Sequence, residues 1–497
     1  MSSPCTARAH TLTMGDDHST RADLTSWSVA ELARAMRSRR VGVVEVVRAH
    51  LARGEQHVAL NAFVSRRTAE LLADAERAQQ AIDTGEPVGP LHGVPFSAKD
   101  ILATAGVRTT LGSAVLAHTL PRHDATAIAR LRAAGALLLG KTNCPELGFG
   151  VTCESPVIGA TASPYGACFS PGGSSGGEAV AVATGSSAFG VGTDFGGSVR
   201  WPAQCTGIIG LRPTPGRVPG TGQLPGAGGS LATEGPALVN PATMQGTLQV
   251  VGLLARRVAD IALVLSCLSG PDGLDPSAAP LAAPPACPGP ISHLRIAWSD
   301  GAAIGPVRRE VAAGCRAAAL ALESEVAAVE EIPNALTGAY EAFNELRALE
   351  QLADQRIALG DGAVHSSDFV RTTLADVPTP DPIAEAHARR RAGRARVDAL
   401  ASFAGFDVLL LPVAGGPACA PDGTLEVDGT QLEGWQLMAH CRAVSLLGAP
   451  ALAVPVARSA EGLPLSVQVV GHPWAESAVL AVAAALEQIF SEEIQRQ

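Results

Sequence analysis

Three short segments of this chain carry residue types able to do covalent chemistry. They are Gly93-Val-Pro-Phe-Ser-Ala-Lys99-Asp100, Pro171-Gly-Gly-Ser174-Ser175-Gly-Gly-Glu178, and Gly192-Thr-Asp194-Phe195-Gly196-Gly197-Ser198-Val-Arg200-Trp-Pro202. A serine hydroxyl is a weak nucleophile and needs a base to take its proton. Lysine can be that base only when neutral, and at its ordinary pKa of about 10.4 roughly 0.1% is neutral near pH 7.5. The pKa must fall by about three units, a matter of about 4 kcal/mol, which burial in an apolar core can supply. Of 37 basic residues only Lys99 and Lys141 are lysine; all the others are arginine. Arginine stays charged in a protein, so a lysine kept in such a chain marks a place where an amine that can lose its proton is useful. Ser198 follows two glycines whose N–H groups can approach a substrate oxygen closely and stabilise an oxyanion.

Two other readings compete for the same segments. Gly135-Ala-Leu-Leu-Leu-Gly140-Lys141-Thr142 formally matches a phosphate-binding loop, but its four variable positions read as a strand rather than a flexible loop. Lys141 is therefore expected to be structural, at a strand end near the site. Gly172-Gly-Ser174-Ser175-Gly176 matches a nucleophile elbow, which requires a strand before the serine. The preceding Thr161–Pro171 holds two prolines and no apolar run, so it reads as a loop. Five histidines (His293, His365, His387, His440 and His472) follow Ser174, and a triad partner among them stays open at this stage.

The elements that must position these residues follow from periodicity and punctuation. Helices are expected at Ser28–Arg40, Val44–Arg53, Arg67–Thr84, Ala125–Ala134, Val258–Leu268 and Val307–Glu323. Strands are expected at Ala136–Leu139, Leu294–Trp298, Val408–Val413, Ala449–Val456 and Leu465–Val470, while Ala179–Thr184 and Phe189–Thr193 interrupt a Gly-, Ser- and Pro-rich stretch at 159–228. Leu91–Pro95 reads as a turn leading to Lys99, and the basic run Arg389–Arg394 as a solvated face. Strands alternating with helices make this an α/β chain. The expected organisation is a disordered tail at 1–22, a helical region at 23–85, a core at 86–270, a Pro-rich connector at 271–292, and 293–497 as part of the same α/β domain.

Composition excludes several classes. With 497 residues, 47% apolar, 17% charged and a mean hydropathy of +0.21, the chain can build a large core and is not disordered. A net charge of -10 without basic clusters leaves no nucleic-acid footprint. No apolar run reaches 18 residues, so no membrane span is expected. Ten cysteines without a C-x-x-C pair suggest neither a disulfide framework nor a zinc site, and a cytoplasmic setting fits.

The three segments together resemble the amidase signature family of Ser-cisSer-Lys hydrolases. Further matching stretches are Gly140-Lys-Thr-Asn143, Gly207-Ile-Ile-Gly-Leu-Arg-Pro-Thr-Pro-Gly216-Arg217, Ala255-Arg-Arg-Val-Ala-Asp260 and Gly448-Ala-Pro-Ala-Leu-Ala-Val-Pro455. The spacings of 75 from Lys99 to Ser174 and 24 from Ser174 to Ser198 are also those of the family. The resemblance implies a single large domain whose mixed, twisted central sheet lies between helix layers. It implies Ser198 as nucleophile, Ser174 after a cis peptide as proton relay, and Lys99 as base. It further implies N–H groups of Phe195, Gly196, Gly197 and Ser198 as oxyanion donors, and Ser175 as a hydrogen-bond partner of Lys99. Asp194 and Arg200 are expected to form a buried structural ion pair. The pocket would draw on Cys144–Cys153, with Gly148 and Phe149, and on variable regions near 335–380 and 415–445, with Tyr340, Phe343, Phe369, Trp435, Gln436 and Met438. Ser175-x-x-Glu178 fits a capping box, with a substrate-side role for Glu178 as the alternative. The implied activity is hydrolysis of a neutral, partly apolar small-molecule amide, with ester or carbamate (urethane) cleavage through the same acyl-enzyme. No metal or cofactor is implied, nor any nucleic-acid or membrane partner, and homodimers are common in the family. The competing activity is that of a glutaminase resembling the A subunit of glutamyl-tRNA amidotransferase, passing ammonia to a partner. A non-catalytic binding protein on the same fold is the third reading.

Overall fold

The computed structural model describes residues 23–223, 242–359, 366–375, 377 and 381–496; the expected tail at 1–22 and His365 lie outside them. Its strands in chain order are β1 (Phe63–Arg66), β2 (Pro95–Lys99), β3 (Leu137–Thr142), β4 (Glu154–Ser155), β5 (Gly159–Ala160), β6 (Phe189–Asp194), β7 (Ile209–Arg212), β8 (Val250–Ala255), β9 (Arg295–Trp298), β10 (Ala328–Glu331), β11 (Val408–Pro412), β12 (Thr424–Val427), β13 (Thr430–Glu433), β14 (Ala451–Arg458) and β15 (Pro464–Gly471). Eleven of them form one mixed sheet in the order β1-β3-β2-β6-β8-β7-β14-β15-β11-β9-β10, while β4–β5 and β12–β13 are small separate ribbons. Parallel pairs β3-β2-β6 lie toward one end and β11-β9-β10 at the other; the strands between them pair antiparallel.

Apolar side chains cover both faces of the sheet, which is why its central strands read as continuous apolar runs. Along β11, Val408 and Leu410 join one core while Leu409 and Leu411 join another. The first core also takes the helices Val29–Arg37, Val43–Gln56, Val258–Leu268 and part of Glu476–Arg496. The opposite face is covered by Gly176–Ala183, Arg200–Thr206, Ala339–Leu346 and Ala439–Leu446. This is the single α/β domain between helix layers that the resemblance implies. Among the described residues no helix is long and apolar enough to cross a membrane.

The sequence expectations hold at most elements and fail instructively at others. Ser28 is the N-cap rather than part of the first helix: its hydroxyl accepts from the Glu31 N–H at 3.1 Å, and its own N–H donates to Glu31. Pro95 does not close a turn but is the first residue of β2, a position where its missing N–H costs little. The basic run lies on the long helix Pro382–Ala401 on an exposed face, paired with acids: Arg389 with Glu350 and Glu385, Arg391 with Glu345, and Arg394 with Asp398. Gly140-Lys141 lies inside β3, and so does not form a phosphate-binding loop.

Candidate active site

Lys99 is the last residue of β2 and Thr193 the next-to-last of the neighbouring β6, and the parallel pairing of the two strands, with Ala98 opposite Val191, brings these strand ends together. The Lys99 Nζ donates to Ser174 Oγ at 2.7 Å and to Thr193 Oγ1 at 3.0 Å. Its side chain is fully buried, and burial lowers its pKa from 10.5 to about 8, near carboxylates of Asp194 and Glu178 that limit the fall. Ser175, expected to bond Lys99, turns its hydroxyl to the Thr193 carbonyl at 3.4 Å instead. The hydroxyl beside the amine is therefore that of Thr193, which the sequence reading did not single out. Ser174 follows a cis Gly173–Ser174 peptide, in a loop with no strand before it, as a nucleophile elbow would need. Among the described residues, no histidine lines the cavity around it.

Ser198 sits between β6 and the helix Arg200–Thr206, and its carbonyl accepts the Ser175 N–H at 3.0 Å, which ties the two serine loops together. Asp194 organises this turn from beneath. Its carboxylate accepts the N–H groups of Gly197 at 2.9 Å and Val199 at 3.2 Å, and takes Arg200 Nε and Nη2 at 3.1 and 3.0 Å. Arg212 adds a bond to the Asp194 carbonyl at 2.7 Å. Burial alone would raise the Asp194 pKa, but the Arg200 and Arg212 guanidiniums hold it well below the carboxylate range. The expected ion pair of Asp194 and Arg200 is thus present and fully buried. One expected donor is lost: the Gly197 N–H is spent on Asp194. Among the described residues the N–H groups of Phe195, Gly196 and Ser198 have no protein acceptor. Gly197 also has φ +121°, and a β-carbon there would lie 2.6 Å from Cys441 Cβ, so glycine is required on both counts.

Glu178 is not a capping residue. The helix Gly176–Ala183 has no side-chain cap from Ser175, and the Glu178 carboxyl points into the core. There it accepts the hydroxyls of Ser97, on β2, and Thr142, on β3, the latter at 2.6 Å. A β-carbon on Gly190 would sit 2.1 Å from Glu178 Oε1, so that strand position must stay bare. Burial raises the Glu178 pKa from 4.5 to about 7. A carboxyl whose folded pKa is raised stabilises the fold fully below its unfolded pKa, and this contribution is lost as pH climbs through the folded value. The window here runs from 4.5 to about 7, and the loss is on the order of 3 kcal/mol. Glu178→Gln is accordingly expected to gain about 1–3 kcal/mol on the parent at pH 8 and nothing at pH 4, read from urea midpoints across that range. Parallel midpoints at all pH values would refute the buried neutral carboxyl.

Lys141, expected to be structural, is buried in β3 and donates to the Leu102 carbonyl and to Thr104 Oγ1. Trp201 and Gln204 are structural too: their side chains donate to the carbonyls of Val151 and Gly416 at 2.9 and 2.8 Å.

A cavity opens over Ser174 and Ser198, with Gly148, Phe149, Phe195, Gly196, Trp435 and Met438 in its walls. Phe149, Arg347, Trp435 and Arg442 are shared with a wider outer basin, where Tyr340, Phe369 and Gln436 are found. Phe343 instead lies under Phe195, ring centroids 5.2 Å apart, as core. Two residues that sequence reasoning missed stand out. Arg347 lies over the Phe149 and Trp435 rings at 5.8 and 4.6 Å, and Arg442 over the Trp435 and Phe343 rings at 4.3 and 5.4 Å. In an arginine-rich chain nothing local distinguishes these two from the rest.

The family model that describes amidases matches residues 45–480. The indoleacetamide hydrolase of Bradyrhizobium diazoefficiens is 32% identical over 93% of this chain and 86% of its own. The A subunit of glutamyl-tRNA(Gln) amidotransferase from Synechococcus sp. (strain CC9605) is 31% identical over 94% of this chain and 97% of its own. Among solved structures, 6-aminohexanoate cyclic dimer hydrolase superposes with a TM-score of 0.80 at 28% identity, over 95% of this chain and 98% of that one.

Proposed function

The chain belongs to the amidase signature family of hydrolases acting on amide C–N bonds, and within it we propose that Ser198 is the nucleophile of an acyl-enzyme reaction. The Ser198 Oγ attacks the amide carbonyl as its proton passes through Ser174 Oγ to Lys99 Nζ. The N–H groups of Phe195, Gly196 and Ser198 receive the oxyanion. Lys99 returns the proton through Ser174 to the leaving amine, the C–N bond breaks, and an ester on Ser198 remains. Water then attacks that ester by the same relay and releases the acid. The observation that carries this reading is the 2.7 Å bond from a fully buried amine to Ser174 Oγ, beside a cavity that Ser198 also lines. This chemistry calls for no metal or cofactor. Esters and carbamates present the same carbonyl and leaving group, so they enter the same intermediate. The apolar walls at Ile101, Phe149, Trp435 and Met438 support an apolar portion in the substrate.

The likeness to an amidotransferase component supports a second reading, as a glutaminase working with a partner. Among the described residues, however, no carboxylate lines the inner cavity to meet the α-ammonium of glutamine, and we place the stand-alone hydrolase first. The decisive experiment is reaction with a fluorophosphonate followed by intact mass and peptide mapping. One adduct on Ser198 is expected. An adduct on Ser174, or none on protein that turns over an amide, would overturn the assignment.

A further inference from the structure

Five arginines are buried among the described residues: Arg200, Arg212, Arg217, Arg347 and Arg442. The first three each have a carboxylate within ion-pair distance, Asp194 for Arg200 and Arg212 and Glu476 for Arg217. Arg347 and Arg442 have none among the described residues, yet they are only 7% and 2% exposed and both line the cavity over Ser198. Arg442 donates to the Asn344 amide oxygen, while its Nε is buried without any hydrogen-bond partner. Its stem packs on the nucleophile loop, where a β-carbon at Gly196 would lie 3.1 Å from Arg442 Cγ. The aromatic faces of Phe149, Trp435 and Phe343 give the two cations partial compensation. They do not cancel a mutual repulsion between two desolvated guanidiniums, which burial drives toward lower pKa, Arg347 to about 10. The carboxylates nearby belong to the outer basin, and the Glu146 oxygens there already accept the Ser113 hydroxyl and the Ser367 N–H.

Two buried, unneutralised cations facing an open cavity are costly unless an anion arrives with the ligand. We propose that the substrate is an amide bearing a carboxylate, held by Arg347 and Arg442 while its carbonyl faces Ser198. The proposal rests on the acyl-enzyme reading above and replaces the neutral substrate that aromatic side chains alone suggest. The planar guanidinium fork matches a carboxylate, and the absence of an acid among the described lining residues selects against a neighbouring ammonium. Monoamides of dicarboxylic acids and N-acylated amino acids both meet this description. Hydrolysis of either adds one water across the C–N bond, giving a carboxylate and the amine.

The test compares kcat/KM for matched pairs. Succinamate against butyramide puts the charge on the acyl side; N-butyrylglycine against N-butyrylpropylamine puts it on the amine side. In at least one pair the anion is expected to win by about tenfold or more, the lower range for a charge-assisted contact, and the ratio should fall toward one in Arg347→Met. Met fills the space against Phe149 and Trp435 without the charge. Because a variant of this cluster can lose its fold, binding to the parent is measured as well: succinate is expected to raise Tm more than butyrate. If neutral members match or beat the charged ones in both pairs while a fluorophosphonate still labels Ser198, the anion site is overturned and the acyl-enzyme reading stands. Equal Tm shifts from succinate and butyrate overturn it too. Loss of Ser198 labelling together with no turnover of any amide takes down both.

Discussion

Replacing Ser198 with alanine is expected to lower kcat by about 10⁴–10⁶-fold, the range for removing a nucleophile whose partners act with it as a unit. The fold should survive, because the contacts that hold this turn use the backbone. The Ser198 carbonyl accepts the Ser175 N–H, and Asp194 grips the N–H groups of Gly197 and Val199. None of these involves the Ser198 hydroxyl. The variant should therefore keep the parent's Tm and lose fluorophosphonate labelling and turnover together. Activity within tenfold of the parent would remove Ser198 from the reaction.

Lys99 tests the other end of the relay. Loss of a positioned general base costs about 10²–10⁴-fold, and Lys99→Ala should show that loss in kcat/KM at pH 7 with partial recovery as hydroxide rises. The parent's rate has a direction set by the buried amine: only neutral Lys99 accepts a proton, so kcat/KM should climb with pH and level off above about 8. Lys99→Arg, which cannot deprotonate, should be as inactive as the alanine variant. Lys99→Met keeps the buried volume and separates lost chemistry from a cavity beside Ser174 and Thr193. Parent-like turnover of Lys99→Ala at pH 7, or a flat pH profile for the parent, would refute the base.

How far the sequence was legible depends on how much of each feature is local. Val258–Leu268 was readable to its ends, and β11, β14 and β15 to within a residue or two, since long apolar runs report burial on both faces. β2 was not readable as a strand: Pro95, Ser97 and Lys99 interrupt its apolar pattern because two of them face polar partners, Glu178 for Ser97 and Ser174 for Lys99. The two serines and the lysine were recognisable from their glycine-rich surroundings. Thr193 was not, because its place beside Lys99 follows from β2 pairing with β6, which has no trace in either segment alone. Ser175-x-x-Glu178 misled for the complementary reason. A spacing that suits a helix start was used to send a carboxyl into the core, where Ser97 and Thr142 come from distant strands. Arg347 and Arg442 became visible only once burial separated them from the arginines that coat the surface.

Both lysines are buried to zero exposure, Lys99 against its two hydroxyls and Lys141 against Leu102 and Thr104. The folded surface therefore offers no side-chain primary amine at all, since every exposed side-chain cation is arginine or histidine. Amine-directed coupling, acylation or conjugation through lysine has nothing to grip while the core is closed. Any such mark on Lys99 or Lys141 records a moment at which the central sheet was open, which makes these two amines a built-in register of unfolding.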